Sequence, residues 1–125
     1  MKRNNLKTSS NNLLVIEDNL YIREKIAKEA KKIVSINDIF VTETLEQAFT
    51  HLNQNNFEII TLDLSLPDGS GLEVLRWLKK NKTEKKVFVF STSTELKRIC
   101  LRYGATAFFD KSEGFDDLID TIKYA

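Results

Sequence analysis

Residues 57–78 read FEIITLDLSLPDGSGLEVLRWL. Phe57 to Leu62 is a short, mostly apolar run that predicts a buried strand, and it runs directly into Asp63. Pro67-Asp68-Gly69 is a turn signal. Leu72, Leu75 and Leu78 then recur at helical spacing, and the helix ends in the polar stretch Lys79 to Lys86. Strand, turn and helix thus follow one another, with a carboxylate where the strand stops.

The same unit repeats on both sides. Upstream, Leu13-Leu14-Val15-Ile16 is a continuous apolar run, the pattern of a strand covered on both faces. Leu20 to Val34 follows as a helix, with Ile22, Ile26, Ala30 and Ile33 on its apolar side. Ile39-Phe40-Val41 is a second strand. Thr44 with Gln47 suggests a capping box before the helix of Leu45, Ala48, Phe49 and Leu52. Downstream, Val87 to Phe90 is a fourth strand and Thr94 to Tyr103 a fourth helix, which Gly104 terminates. Ala105 to Phe109 is the fifth strand. Phe115, Leu118, Ile119 and Ile122 face inward on a last helix. Five strands alternating with five helices predict right-handed crossovers and an α/β fold, a parallel sheet covered on both faces. In such a fold the site lies beyond the carboxyl ends of the strands.

Composition removes other classes. The chain has 125 residues, one domain's worth, and 42% are hydrophobic, enough for one sizeable core. Lys plus Arg number 19 and Asp plus Glu 18, so nothing points to nucleic acid or a membrane surface held by bulk positive charge. A single cysteine, Cys100, allows no internal disulfide, and no Cys/His cluster suggests zinc. No apolar run is long enough to span a bilayer, and the start lacks the apolar stretch of a signal peptide. The expectation is a cytoplasmic domain over residues 12–125 behind a flexible polar tail over residues 1–11.

Polar residues converge at the predicted strand ends. Glu17 and Asp18 follow the first strand, Asp63 the third, Ser91 the fourth, and Asp110 with Lys111 the fifth. Singly, each has an ordinary explanation. Glu17-Asp18 suits a helix N-terminus, Asp63 a turn or helix cap, Lys111 a solvated surface, and Ser91 a loop hydroxyl. Their joint placement at four parallel strand ends is what those explanations do not predict. Three carboxylates brought together raise one another's pKa, and an all-oxygen set is relieved by a hard divalent cation such as Mg²⁺. A cation, an ammonium and a hydroxyl around one carboxylate make a cradle for a phosphoryl group. Asp63 is then the candidate nucleophile, Lys111 a point charge and Ser91 a donor.

The segments LLVIEDN (13–19), LDLSLPDGSGLEVL (62–75), VFVFSTS (87–93) and GATAFFDKS (104–112) resemble the receiver domain of two-component response regulators. The likeness runs from about Asn12 to the end and is nearest to single-domain, chemotaxis-regulator-like members. It implies a doubly wound, flavodoxin-like sheet of strand order 2-1-3-4-5 in a three-layer sandwich. It implies a signalling phosphoacceptor rather than an enzyme on an outside substrate. Asp63 would accept a phosphoryl group from a sensor histidine kinase or a histidine phosphotransfer protein. Mg²⁺, or Mn²⁺ in its place, would be held by Asp18, Asp63 and the Ser65 backbone carbonyl, with Glu17 acting through water. Ser91 and Phe108 would form the switch that changes the surface seen by a downstream protein. A monomer or weak dimer without direct nucleic-acid contact or membrane insertion is implied, and a receiver within a larger hybrid kinase or DNA-binding regulator is the alternative. A phosphate-independent interaction module is disfavoured by the intact acidic, hydroxyl and lysine set.

Three departures from the family pattern stand out. Ser112 follows Lys111 where proline with a cis bond is usual, so a trans bond is expected. Phe108 carries no hydroxyl. Ser65 and Ser93 are small where the family tunes dephosphorylation, which suggests a short-lived phosphate. Elsewhere, the lysines between Lys79 and Lys86 read as a solvated helix end, His51 as a surface histidine, Trp77 as partly buried and Cys100 as core.

Overall fold

Five short apolar runs form the strands β1 (Leu13–Ile16), β2 (Ile39–Thr42), β3 (Ile59–Leu62), β4 (Lys86–Ser91) and β5 (Ala107–Asp110). In this computed structural model, which describes residues 11–125, they pair in one parallel sheet of order 2-1-3-4-5. That is the doubly wound, flavodoxin-like arrangement. Ile16 lies opposite both Thr42 and Leu62, while Leu62 lies opposite Val89, so β4 and β5 run two residues further than the other three strands. Glu17 and Asp63, each one step beyond its strand, therefore leave the sheet side by side.

Alternation along the strands divides the core in two. Leu13, Val15, Ile59, Phe88 and Phe90 meet Ile26 and Ala30 of α1 (Leu20–Ala30) and Leu118 and Ile122 of α5 (Phe115–Lys123). Leu14, Ile16, Ile60, Leu62, Val87 and Val89 face the opposite way. They pack on Leu45 and Ala48 of α2 (Leu45–Gln54), on Val74, Leu75 and Leu78 of α3 (Leu72–Lys80), and on Cys100 of α4 (Lys97–Arg102). Strands β1 and β3 are buried at every position, as continuous apolar runs require. Among the described residues no helix is long and apolar enough to cross a membrane.

Several boundaries differ from the sequence reading. Helix α1 stops at Ala30 instead of Val34. Lys32 N donates to Glu29 O and Ile33 N to Ala30 O, which tightens the chain into a turn; Ile33 stays buried while Val34 is 99% exposed. The fourth helix is split, with a 3-10 turn over Thr94–Leu96 preceding α4, because Leu96 N bonds Ser93 O three residues back. The expected capping box is shifted. Thr44 Oγ1 accepts from Gln47 N at 3.1 Å, but Gln47 Oε1 accepts from Glu43 N, at 2.9 Å, instead of from Thr44 N. The Pro67-Asp68 turn closes a two-residue antiparallel ladder, Ser65–Leu66 against Gly69–Ser70, absent from the sequence reading. Gly104 ends α4 at φ +100°, where a side chain would be strained.

His51 is not a plain surface histidine. It is half-buried, with its ring 5.4 Å from that of Phe40 and 6.4 Å from that of Phe57, at the amino end of the sheet. The lysine-rich stretch is partly engaged: Lys85 Nζ donates to Asn56 Oδ1, and Lys79 Nζ lies 6.0 Å from the Tyr103 ring. Trp77 is half-buried and Cys100 fully buried. No cis peptide bond occurs among the described residues, so Lys111-Ser112 is trans. The tail expected over residues 1–11 lies outside the described residues apart from Asn11, whose side chain donates to Ser35 O at 2.9 Å.

Among the described residues two buried side-chain atoms make no hydrogen bond, His51 Nδ1 and Thr61 Oγ1. Thr61, in the middle of β3, is 1% exposed and its hydroxyl makes no hydrogen bond. Such an orphan costs stability that an apolar group of the same shape would not. Thr61→Val is therefore expected to stabilise the fold by about 1 kcal/mol, read as a raised urea midpoint at unchanged slope.

Candidate acidic site at the strand ends

The ladder between β1 and β3 extends one bond past the strands, with Asp63 N donating to Ile16 O at 2.9 Å. Glu17 N donates to Thr42 O at 3.0 Å. These bonds seat Glu17 and Asp63 beside each other at the mouth of the sheet, 1% and 4% exposed. Asp18, one residue on, is exposed. One carboxylate oxygen from each of Glu17, Asp18 and Asp63 lies within 4.8 Å of the others.

Lys111 answers this charge from the far side. Its backbone N donates to Ser91 O at 3.0 Å, which fixes where the side chain starts. Its ammonium lies 2.9 Å from Glu17 Oε1, 3.0 Å from Glu17 Oε2 and 3.3 Å from Asp63 Oδ1. One cation therefore faces two buried carboxylates with a third nearby. Burial pushes the Glu17 carboxyl up from 4.5 to about 7, reinforced by the negative charge of Asp63 and only partly opposed by Lys111. Burial also raises Asp63, against the pull of Lys111 and of Ser65 N, which donates to Asp63 Oδ1 at 3.2 Å.

Three clustered carboxylates with one lysine suit a hard divalent cation, and every donor is oxygen. Glu17, Asp18 and Asp63 can hold it.

The other expected residues sit around this cluster rather than in it. Ser91 is buried at the end of β4, and its hydroxyl accepts from Ser93 N at 3.0 Å. Phe108 is half-buried on β5, opposite Val89, and packs on the core under α2, α3 and α4. Ser65 is exposed and Ser93 half-buried.

Gly71 escaped the sequence reading. Its N–H donates to Leu64 O at 2.9 Å, and a Cβ there would come within 2.2 Å of Asp63 O. Its φ of −61° is open to any residue, so the requirement is space alone, which the sequence does not show.

Comparisons with known proteins agree with this geometry. The family model of the response regulator receiver domain matches residues 13–123. The chain is 34% identical over 112 residues to the cell cycle response regulator CtrA of Brucella ovis, an alignment covering 88% of this chain and 47% of that protein. It thus spans about half the length of the curated relatives it matches. Among solved structures, the Francisella response regulator 1452 receiver domain superposes with a TM-score of 0.82 at 26% identity, covering 92% of this chain and 95% of that one. The receiver domain of a putative LuxO repressor protein from Vibrio parahaemolyticus gives 0.83 at 27%, covering 93% and 89%. The response regulator TrrA of Thermotoga maritima, in complex with Mg(2+)-BeF, gives 0.79 at 26%, covering 91% and 97%.

Two outcomes follow from the buried charges and the close approach. In metal-free buffer the folded chain keeps Glu17 protonated up to about pH 7, whereas the unfolded chain releases that proton near 4.5. Its contribution to stability is present in full below 4.5 and is lost as pH rises through about 7. Thermal melts of Glu17→Gln should show a flatter decline over that window, and an undiminished slope would contradict the assignment. Gly71→Ala should destabilise by at least about 2 kcal/mol in urea titrations, since the methyl must displace the Asp63 backbone.

Proposed function

Because the chain belongs to the response regulator receiver domain family, we propose that Asp63 is its phosphoacceptor and that the chain works as a Mg²⁺-dependent phosphorylation switch. Receivers are signalling phosphoacceptors that interact with histidine kinases or phosphotransfer proteins and with downstream targets. The observation that supports the finer reading is the Lys111 ammonium against Glu17 and Asp63, in one cluster with Asp18.

An Asp63 carboxylate oxygen attacks the phosphorus of a phosphohistidine on the kinase or phosphotransfer protein. The P–N bond breaks, and its electron pair stays on the imidazole nitrogen, which takes up a proton. Lys111 meets a phosphoryl oxygen as a point charge and Ser91 as a hydroxyl donor. When bound by Asp18, Asp63 and the Ser65 carbonyl, with Glu17 acting through water, Mg²⁺ (or Mn²⁺) supplies further positive charge against the phosphoryl oxygens. Transfer and later hydrolysis are self-catalysed. The small Ser65 and Ser93 leave room for an attacking water, which supports a short-lived phosphate.

The switch is a population shift. Ser91 engages the phosphoryl group only in the active arrangement, Phe108 turns inward behind it, and the surface of α4, β5 and α5 changes. Output then passes to a separate downstream protein from a freestanding, cytoplasmic monomer or weak dimer without direct nucleic-acid contact. The greater length of the relatives favours a second reading, a receiver within a larger regulator or hybrid kinase. The size of the native polypeptide on an immunoblot separates the two.

Incubation with Mg²⁺ and acetyl phosphate should add one phosphoryl group by intact mass, and Asp63→Asn should take up none. No uptake by the wild type, with a competent donor and metal present, would reject the switch.

A further inference from the structure

The acidic cluster is assembled from two loops, the one after β1 carrying Glu17 and Asp18, and the one after β3 carrying Asp63. Both are fastened to a third element that supplies no carboxylate to the cluster, the corner between β2 and α2. From the first loop's side, Arg23 of α1 turns its guanidinium back on the chain. Its Nη1 donates to Glu17 O at 3.0 Å and to Asp18 O at 3.3 Å, while Nη2 lies 3.4 Å from Glu43 Oε2 in the corner. The Arg23 side chain is 12% exposed, while the Glu43 carboxylate it meets is on the solvent side of the pair.

From the other side, Asp68 reaches across from the turn that follows Asp63. Its Oδ1 accepts from Leu45 N at 2.8 Å and its Oδ2 from Glu46 N at 3.0 Å. These are otherwise open N–H groups of the first turn of α2, where a carboxylate is favoured. They hold the Asp68 carboxyl below its ordinary range. The two surfaces also meet tightly, since a Cβ on Gly69 would fall 2.8 Å from Leu45 Cδ1. Within the corner, Gln47 Oε1 accepts from Glu43 N, which keeps Glu43 in register with the helix.

We propose that the β2–α2 corner is the clasp that sets the spacing of the acidic site, with Arg23 and Asp68 as its positioning residues. The physical need is plain. Ionised to take a cation, Glu17, Asp18 and Asp63 repel one another, and the hydrogen bond that joins the Glu17 and Asp63 side chains in the metal-free form is lost with its proton, which leaves Lys111 between the two loops' side chains. Mg²⁺ demands near-ideal octahedral geometry at short distances, so carboxylates that drift apart lose affinity steeply. Bonds that orient ligands without touching the metal commonly govern about 10–100-fold in metal affinity.

The inference rests on the functional reading above, and the test separates the two. Mg²⁺ is titrated calorimetrically into the full unphosphorylated chain, wild type and variants, at a temperature where metal-free melts show each folded. Arg23→Ala and Asp68→Ala should each weaken Mg²⁺ binding by about tenfold. Arg23→Lys should recover part of the loss, since an ammonium can serve one carbonyl. The double variant should lose less than the product of the single losses, because both residues act through one corner. If Asp68→Ala does not fold, Asp68→Asn takes its place, keeping one acceptor oxygen and losing the second. Folded variants with lowered melting temperature but wild-type Mg²⁺ affinity would overturn the clasp and leave the bonds purely structural. A wild type that binds no Mg²⁺ would overturn the functional reading, and the clasp with it.

Discussion

Everything at the carboxyl end of this sheet depends on burying Glu17 and Asp63 together with one ammonium to share between them. Two buried carboxylates cost free energy that a single ion-paired lysine does not recover. That imbalance shows as the raised proton affinity of both groups. The protein tolerates it because stability comes from elsewhere, the two apolar layers on either side of the sheet. The acidic mouth is thus left short of positive charge, a deficit that a hard divalent cation would offset.

The sheet makes the juxtaposition possible. Parallel pairing without slippage puts Ile16 against Leu62, so Glu17 and Asp63 emerge together. Lys111 must cross from β5 to reach them, which succeeds because its backbone is tied to Ser91 on the neighbouring strand. Asp110 closes the loop beyond, its Oδ1 accepting from both the N and Oγ of Ser112, and its carbonyl from Gly114 N at 2.7 Å. The trans Lys111-Ser112 bond is accommodated within this turn. The opposite end of the sheet holds the Phe40–His51–Phe57 cluster and the lysine-rich stretch, both remote from the acidic residues.

Much of this was legible in the residues. Leu13–Ile16 and the run before Asp63 announce strands covered on both sides, and alternation with helices makes them parallel. Strand ends then point to Glu17, Asp18, Asp63, Ser91 and Lys111 without any reference to distance. Less legible were features set by local competition between hydrogen-bond patterns, such as the early end of α1 and the 3-10 turn before α4. Apolar spacing continues through both, because Ile33 and Leu96 keep contact with the core after the helix has tightened or before it has begun.

The sequence alone determined the alternation of elements, the two-sided burial of the sheet and the carboxylate, hydroxyl and lysine set at its end. Those follow from periodicity and from residue type, which are properties of neighbours along the chain. Only the tertiary structure decided that Gly71 must lack a side chain, since the obstruction is the Asp63 carbonyl. Only it decided that Arg23 and Asp68 meet at the β2–α2 corner. Asp68 and Leu45 are 23 residues apart, and their bond exists because the folded sheet brings two loops to one edge. Close approach and long-range pairing leave no periodic trace in the chain, so their chemistry is visible only once the backbone is in place.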